Sequence, residues 1–268
     1  MKALWVWILS LTLLLSWALP VCSRPALSAP GIQTQQQFEA IKKKAFAASQ
    51  SGQFDAAERY WTELLEAFPT SAPLWSNRGN IRVSQNRLEE AIADYDKSVE
   101  LAPDSPDPYI NRGVALEGLG RWQEAIADYN QALQLDPDSA ATYNNRGNAK
   151  GGNGDWSAAV ADYQRAAELM PNFALARANR AIALYQTGQV DDAIRQLRGL
   201  VRKYPRFADV RAALTAVLWA TGRQGEAESN WYAVMGLDTR YKDIAWVRQI
   251  RRWPPAAANA LEQFLTLS

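Results

Sequence analysis

APLWSNRGNIRVSQNRLEEAIADYDKSVELAPDS at residues 72–105 is followed by PDPYINRGVALEGLGRWQEAIADYNQALQLDPDS at 106–139 and AATYNNRGNAKGGNGDWSAAVADYQRAAELMPNF at 140–173. The triplet Asn77-Arg78-Gly79 returns as Asn111-Arg112-Gly113 and Asn145-Arg146-Gly147, 34 residues apart each time, and in altered form as Asn179-Arg180-Ala181. Outward from these lines the same step persists. Alanine recurs at Ala57, Ala91, Ala125, Ala159, Ala193 and Ala227, and proline at Pro69, Pro103, Pro137, Pro171 and Pro205. A large ring recurs at Trp61, Tyr95, Tyr129, Tyr163 and, after Leu197, at Trp231. Several independent columns sharing one period make this chain a repeat array.

Each column has a physical reason. The small residues allow two helices of one unit to approach closely. Gly52, Gly120, Gly154, Gly188 and Gly222 mark the turn between those helices, where a left-handed residue ends the first. Proline after the second helix stops it. A unit of this kind cannot bury its apolar face alone, so neighbours must stack into a solenoid with one concave side.

These columns resemble the tetratricopeptide repeat, a helix-turn-helix unit of 34 residues. The family pattern is filled by Trp75, Gly79, Ala91, Tyr95 and Pro103 in one unit. Tyr109, Gly113, Ala125, Tyr129 and Pro137 fill it in the next, and Tyr143, Gly147, Ala159, Tyr163 and Pro171 in a third. The resemblance implies an all-α, right-handed α-solenoid of six units at 38–71, 72–105, 106–139, 140–173, 174–207 and 208–241. The end units depart from the pattern, with Ile41 and Ala45 in the first and Arg211, Thr215 and Thr239 in the last, as expected of units that cap a stack. Residues 242–268 read as capping helices: one over Asp243 to Ile250, a break at Trp253-Pro254-Pro255, then a second over Ala256 to Leu267. The Pro-, Ser- and Gln-rich stretch 24–37 reads as a linker.

Residues 1–23 read as an address. Lys2 precedes an uncharged apolar run from Ala3 to Leu19, and Pro20 breaks it, the shape of a secretory signal. A retained membrane anchor is the alternative, since the run is about long enough to span. A lipidated Cys22 is disfavoured because Leu19-Pro20-Val21 puts no small residue before it. The protein is therefore expected to be exported. A weaker resemblance, carried by the exported stack and Trp253-Pro254-Pro255, is to small repeat proteins of cyanobacteria and of the chloroplast thylakoid lumen. It implies a lumenal location and a part in assembling photosynthetic complexes, with a bacterial periplasm as the alternative.

Composition excludes more than it proposes. Apolar residues make up 48% and charged residues 21%, so the chain can build a core. The net charge of +1 offers no general attraction for nucleic acid. There is no histidine, which removes the commonest general base and zinc ligand, and with Cys22 the one cysteine no multi-cysteine metal site can form. No nucleophile, base and orienter share a spacing. The expectation is a scaffold or assembly factor that binds a protein or extended peptide in its concave groove, with no enzyme activity, cofactor or metal; the alternative is a membrane-tethered structural adaptor acting through its convex face or basic C-terminal cap.

The candidate binding residues form a ladder. Asn77, Asn111, Asn145 and Asn179 share the sixth position of successive units, which the resemblance places on the concave groove. Amides carry both donor and acceptor, so such a ladder can clamp the backbone of an extended peptide. Asn80, Asn144 and Asn148 widen that polar strip. The alternative is that these amides are solvated or brace neighbouring units. Arg78, Arg112 and Arg146 pair by spacing with Asp94, Asp128 and Asp162, a structural salt bridge between the helices of each unit. The lysine clamp with which some family members grip chaperone C-termini is disfavoured: Lys42 could serve, but Phe46, Asp107 and Ala141 stand where asparagine and lysines are needed. Arg240, Lys242, Arg248, Arg251 and Arg252 lie among Tyr241, Trp246 and Trp253, and read as snorkelling cap residues or a membrane-surface contact. The Gly151-Gly152-Asn153-Gly154 run reads as a local softening of the fourth unit.

Overall fold

The computed structural model describes residues 34–267. The signal or anchor and most of the linker lie outside the described residues. Among those described, the regular structure is helical, with one short 3-10 turn at Thr239–Lys242 and no strand. Six hairpins pair α1 (Gln35–Gln50) with α2 (Phe54–Ala67), α3 (Ala72–Ser84) with α4 (Leu88–Leu101), and α5 (Pro106–Gly118) with α6 (Trp122–Leu135). They continue with α7 (Ala140–Gly152) and α8 (Trp156–Leu169), α9 (Ala174–Gln186) and α10 (Val190–Lys203), and α11 (Ala208–Ala220) and α12 (Gln224–Leu237). Two further helices follow, α13 (Ile244–Gln249) and α14 (Pro255–Leu267). The first helix starts ahead of the repeat boundary because Thr34 caps it, with a reciprocal bond from Gln37.

The repeat columns do the work their chemistry suggests. A methyl group on Gly79, Gly113 or Gly147 would sit 2.6–2.7 Å from the ring of Tyr95, Tyr129 or Tyr163, so only glycine lets the buried ring pass. In the last unit this position holds Thr215, fully buried, whose hydroxyl donates to Arg211 O at 3.0 Å. The turn after α5 shows why its column is glycine. Gly120 stands at φ +72, Arg121 N–H returns to Leu116 O and Gly120 N–H to Glu117 O. In the second unit Asn86 takes this left-handed place at φ +59, which an asparagine tolerates. The Gly151-Gly152 pair is packing room rather than slack. A methyl on either would lie 2.6 Å from the ring of Trp156 or Trp122.

Each arginine of the triplet braces three elements. Arg78, Arg112 and Arg146 donate through Nε and Nη2 to both oxygens of Asp94, Asp128 and Asp162 at 2.7–3.0 Å. Nη1 reaches back to the previous unit, to Thr62, Asp96 and Asn130. The guanidinium also lies over Trp75, Tyr109 or Tyr143 at 4.9–5.8 Å. The fifth unit breaks this device: Gln196 stands where the others have aspartate, and the buried Nε of Arg180 has no partner. Gln196→Asp is therefore expected to stabilise the protein by about 1–2 kcal/mol, read as a higher urea midpoint. An unchanged midpoint would show that Arg180 cannot turn onto the new carboxylate.

α3 touches α5, α5 touches α7 and α9 touches α11, whereas no two second helices are in comparable contact. The first helices therefore line the inside of the curve. α11 is buried from Ala212 through Leu218, on every side, because α14 lies across it and also against α9. Phe264 of α14 packs edge-on against Trp219 and Trp231. The C-terminal helices thus cover the inner surface of the last two units.

Candidate functional site

The groove is built by the first helix of each unit, and its two halves differ. Toward the N-terminal end, Asn77 and Asn111 are half-buried and their amides make no hydrogen bond within the described residues. They open onto a cavity of about 320 Å³ with Ser76, Asn80 and Asp107. The oxygen of Asn80 accepts from Tyr95 OH at 2.7 Å, which leaves only its NH2 group unpaired. Phe46 and Val114, exposed at 42% and 43%, occupy the equivalent of the Asn80 position one unit to either side. The open groove therefore alternates amide and apolar side chains.

Toward the C-terminal end the amides are engaged. Asn179 Nδ2 donates to Asn144 Oδ1 at 3.1 Å and to Asn148 Oδ1 at 3.4 Å. Asn144 is buried and gives one long bond of 3.5 Å to Asn145. Asn148 also accepts from Tyr163 OH at 3.0 Å. The structure thus brings Asn144, Asn145, Asn148 and Asn179 together as one cluster, and leaves Asn77, Asn80 and Asn111 at a separate opening.

The segment around Trp253-Pro254-Pro255, expected to cap the stack, lies in this half of the groove. From the end of α13 to the start of α14 the chain bonds to the first helices of three units and faces that of a fourth across a cavity. Arg252 reaches Glu117 on α5, and a cavity of about 580 Å³ separates the segment from Asn148 of α7. Ala256 N–H donates to Gln186 Oε1 at the end of α9 at 2.7 Å, and α11 supplies Asp209. Asp209 is the anchor. Buried to 3% exposure, it accepts from Tyr241 OH at 2.6 Å, from Arg251 at 2.7 and 3.1 Å and from Trp253 Nε1 at 3.0 Å. Tyr241 in turn packs between Trp246 and Trp253. The sequence holds one signal of this cover: from Ala212 to Leu218 α11 carries no charge and, Thr215 apart, is apolar on every side, which a helix facing an open groove would not be.

Internal pairing consumes most of the basic charge at this end. Arg248 binds Glu262, Arg251 binds Asp209 and Arg240 binds Asp238. Glu117 differs from these exposed or tightly paired acids. Burial pushes its carboxyl up to about 7, against the opposing effects of the bond from Tyr129 OH at 2.6 Å and of the Arg252 charge. No cluster of metal-ligating side chains occurs among the described residues, and none of their helices is long and apolar enough to cross a membrane.

Comparison with known proteins agrees with this architecture. The family described as TPR repeat matches residues 79–120 and 118–154, and that described as tetratricopeptide repeat matches 152–228. The Hsp70-Hsp90 organizing protein 2 of Arabidopsis thaliana is 40% identical over 60 residues, which is 22% of this chain and only 10% of that protein. A tetratricopeptide repeat protein from Parabacteroides merdae superposes with a TM-score of 0.69 at 20% identity, over 87% of this chain and 94% of that one. YrrB, described as a TPR protein with an unusual peptide-binding site, gives 0.54 at 22% identity over 72% and 97%. MamA gives 0.57 at 22% identity over 63% and 92%. With a 34-residue period, glycine seated under a tyrosine ring in successive hairpins and matches running from residue 79 to residue 228, the chain belongs to the tetratricopeptide repeat family.

Proposed function

We propose that this protein is an interaction scaffold that holds an extended segment of a partner protein in the N-terminal half of its groove. The observation that carries the reading is the state of Asn77 and Asn111: two amides one unit apart, half-buried on the concave face, with their hydrogen-bonding capacity unspent. Amides so placed bind peptide backbone, and the apolar Phe46 and Val114 beside them suit alternate side chains of an extended strand. The reading is of a binding protein and not an enzyme, in keeping with a chain that has no histidine. Chaperone tails are poor candidates despite the short stretch shared with an Hsp70-Hsp90 organizing protein, because Asp107 and Ala141 replace the lysines that a terminal carboxylate needs.

The scaffold acts outside the cytoplasm on this reading, delivered by residues 1–23 as a cleaved signal or held by them as an anchor, in a periplasm or a thylakoid lumen where it assists assembly of other proteins. The mass of the N-terminal peptide of the purified protein separates the two forms. For the groove, the full chain is to be panned against a library of extended peptides and the affinity of the best binder measured. Asn77→Ala with Asn111→Ala is expected to weaken that binding at least tenfold while the unfolding midpoint holds. Undiminished affinity in the double variant would move the binding surface to the convex face.

A further inference from the structure

The segment crossing the groove carries two adjacent arginines in unlike settings. Arg251 is fixed in the Asp209 anchor. Arg252 is loosely held: its guanidinium lies 5.6 Å from the centre of the Trp122 ring, and its Nη1 reaches Glu117 Oε2 only at 3.3 Å. Its side chain is 44% exposed, while that of the acid it meets is 8% exposed. Its backbone stands at φ +51, a left-handed conformation that an arginine keeps only where neighbours impose it. Arg251 and Trp253, pinned on either side, do so.

Glu117 is not part of the repeat architecture. The equivalent residues of the neighbouring units are Val83, Gly151 and Tyr185. A carboxylate buried with one phenol donor and one long contact to a cation is poorly satisfied, and gains from a guanidinium that can approach squarely. Trp122 supplies the flat face on which such a group stacks, in space left by Gly152. The cavity of about 580 Å³ continues beside this corner toward Asn148, Tyr163 and Asn179, leaving room for more chain than Arg252 fills.

We infer that Glu117 and Trp122 form a recognition pocket for an arginine on an extended segment of a partner protein, and that Arg252 occupies it as a displaceable internal stand-in. The inference rests on the scaffold reading and adds to it a second contact point, beside the Asn77 and Asn111 opening, with the side-chain chemistry selected there. A second copy of this chain donating its C-terminal segment is the poorer occupant, because that segment is held to its own Asp209 by buried bonds from Tyr241, Arg251 and Trp253. Lysine is also poorer, since it neither stacks flat nor bonds a carboxylate in two places.

The test uses the full chain and a minimal probe, acetyl-Gly-Arg-Gly-amide, with its citrulline analogue as the neutral isostere. Binding is followed by the indole N–H resonance of Trp122, assigned with Trp122→Phe. Arg252→Gly empties the corner while suiting the left-handed backbone, and Arg252→Ala serves as a second vacant form. Arg252→Gly is expected to bind the arginine probe at least tenfold more tightly than the native chain, and the citrulline probe not at all. Adding Glu117→Gln, which can still accept the Tyr129 bond, is expected to abolish the gain. Equal affinity of the native and vacant forms, equal binding of citrulline, or indifference to Glu117→Gln would each overturn the inference. So would a concentration-dependent dimer that dissolves on Arg252→Gly, because a second copy would then be the occupant. The probe is too short to need the Asn77 and Asn111 amides, so failure here and failure of the groove reading are separate results.

Discussion

Asp94→Ala is expected to lower the unfolding free energy by about 3 kcal/mol, the low end of what removal of one partner from a buried ion pair costs. Asp94 is 1% exposed and accepts from Arg78 through two bonds and from Arg82 at 3.0 Å. Its loss strands two cations whose side chains are 13% and 16% exposed. Arg82 keeps Glu58 and Arg78 keeps its place over Trp75, which is why the upper end of the range is not expected. Arg78→Leu with Asp94→Leu should cost clearly less than Asp94→Ala, because only Arg82 then loses a partner and it keeps Glu58. Urea denaturation followed by circular dichroism measures both, and hydrogen exchange should localise the loss to α3 and α4, since a stack transmits stability only to neighbours. A loss under about 1 kcal/mol would mean that water takes over the arginines and the pair is only a surface contact.

Asp209→Ala is expected to be as costly locally, about 3 kcal/mol, and to release the C-terminal segment. One carboxylate there satisfies Tyr241, Arg251 and Trp253 together. Without it a phenol, an indole N–H and a guanidinium are left in a buried setting with no acceptor. Protease cleavage beside Arg251 and Arg252 should become fast, and tryptophan emission should shift to the red. Asp209→Asn keeps an oxygen for Tyr241 and Trp253 but forfeits the charge, so its effect should fall between. Helices α1 to α4, which lie beyond the Arg252 contacts with Glu117 and Trp122, should be untouched in either variant. If they too lost protection, the C-terminal segment would be part of the whole fold and not a cover on its last units.

These two aspartates show what a sequence can and cannot disclose. Asp94 lies in a column with Asp128 and Asp162, each a fixed 16 residues after an arginine, so the pairing is visible as periodicity. Asp209 has no such column, and its partners are 32 to 44 residues away, at the last residue of the final unit and in the segment beyond it. The four ladder asparagines look alike in the sequence, yet Asn144, which has Ser76, Ile110 and Ala178 at its equivalents, captures Asn179 and separates the ladder into a free and an engaged half.

The sequence by itself determined the helices, their hairpin pairing, the turn chemistry and the inter-helix ion pairs, because all of these are contacts within one unit or between adjacent units and recur with its period. Only the tertiary structure decided where the C-terminal segment lies, which asparagines stay open, and that Glu117 meets Arg252 across 135 residues. Such contacts join surfaces that exist only after the stack has curved, so no local spacing encodes them.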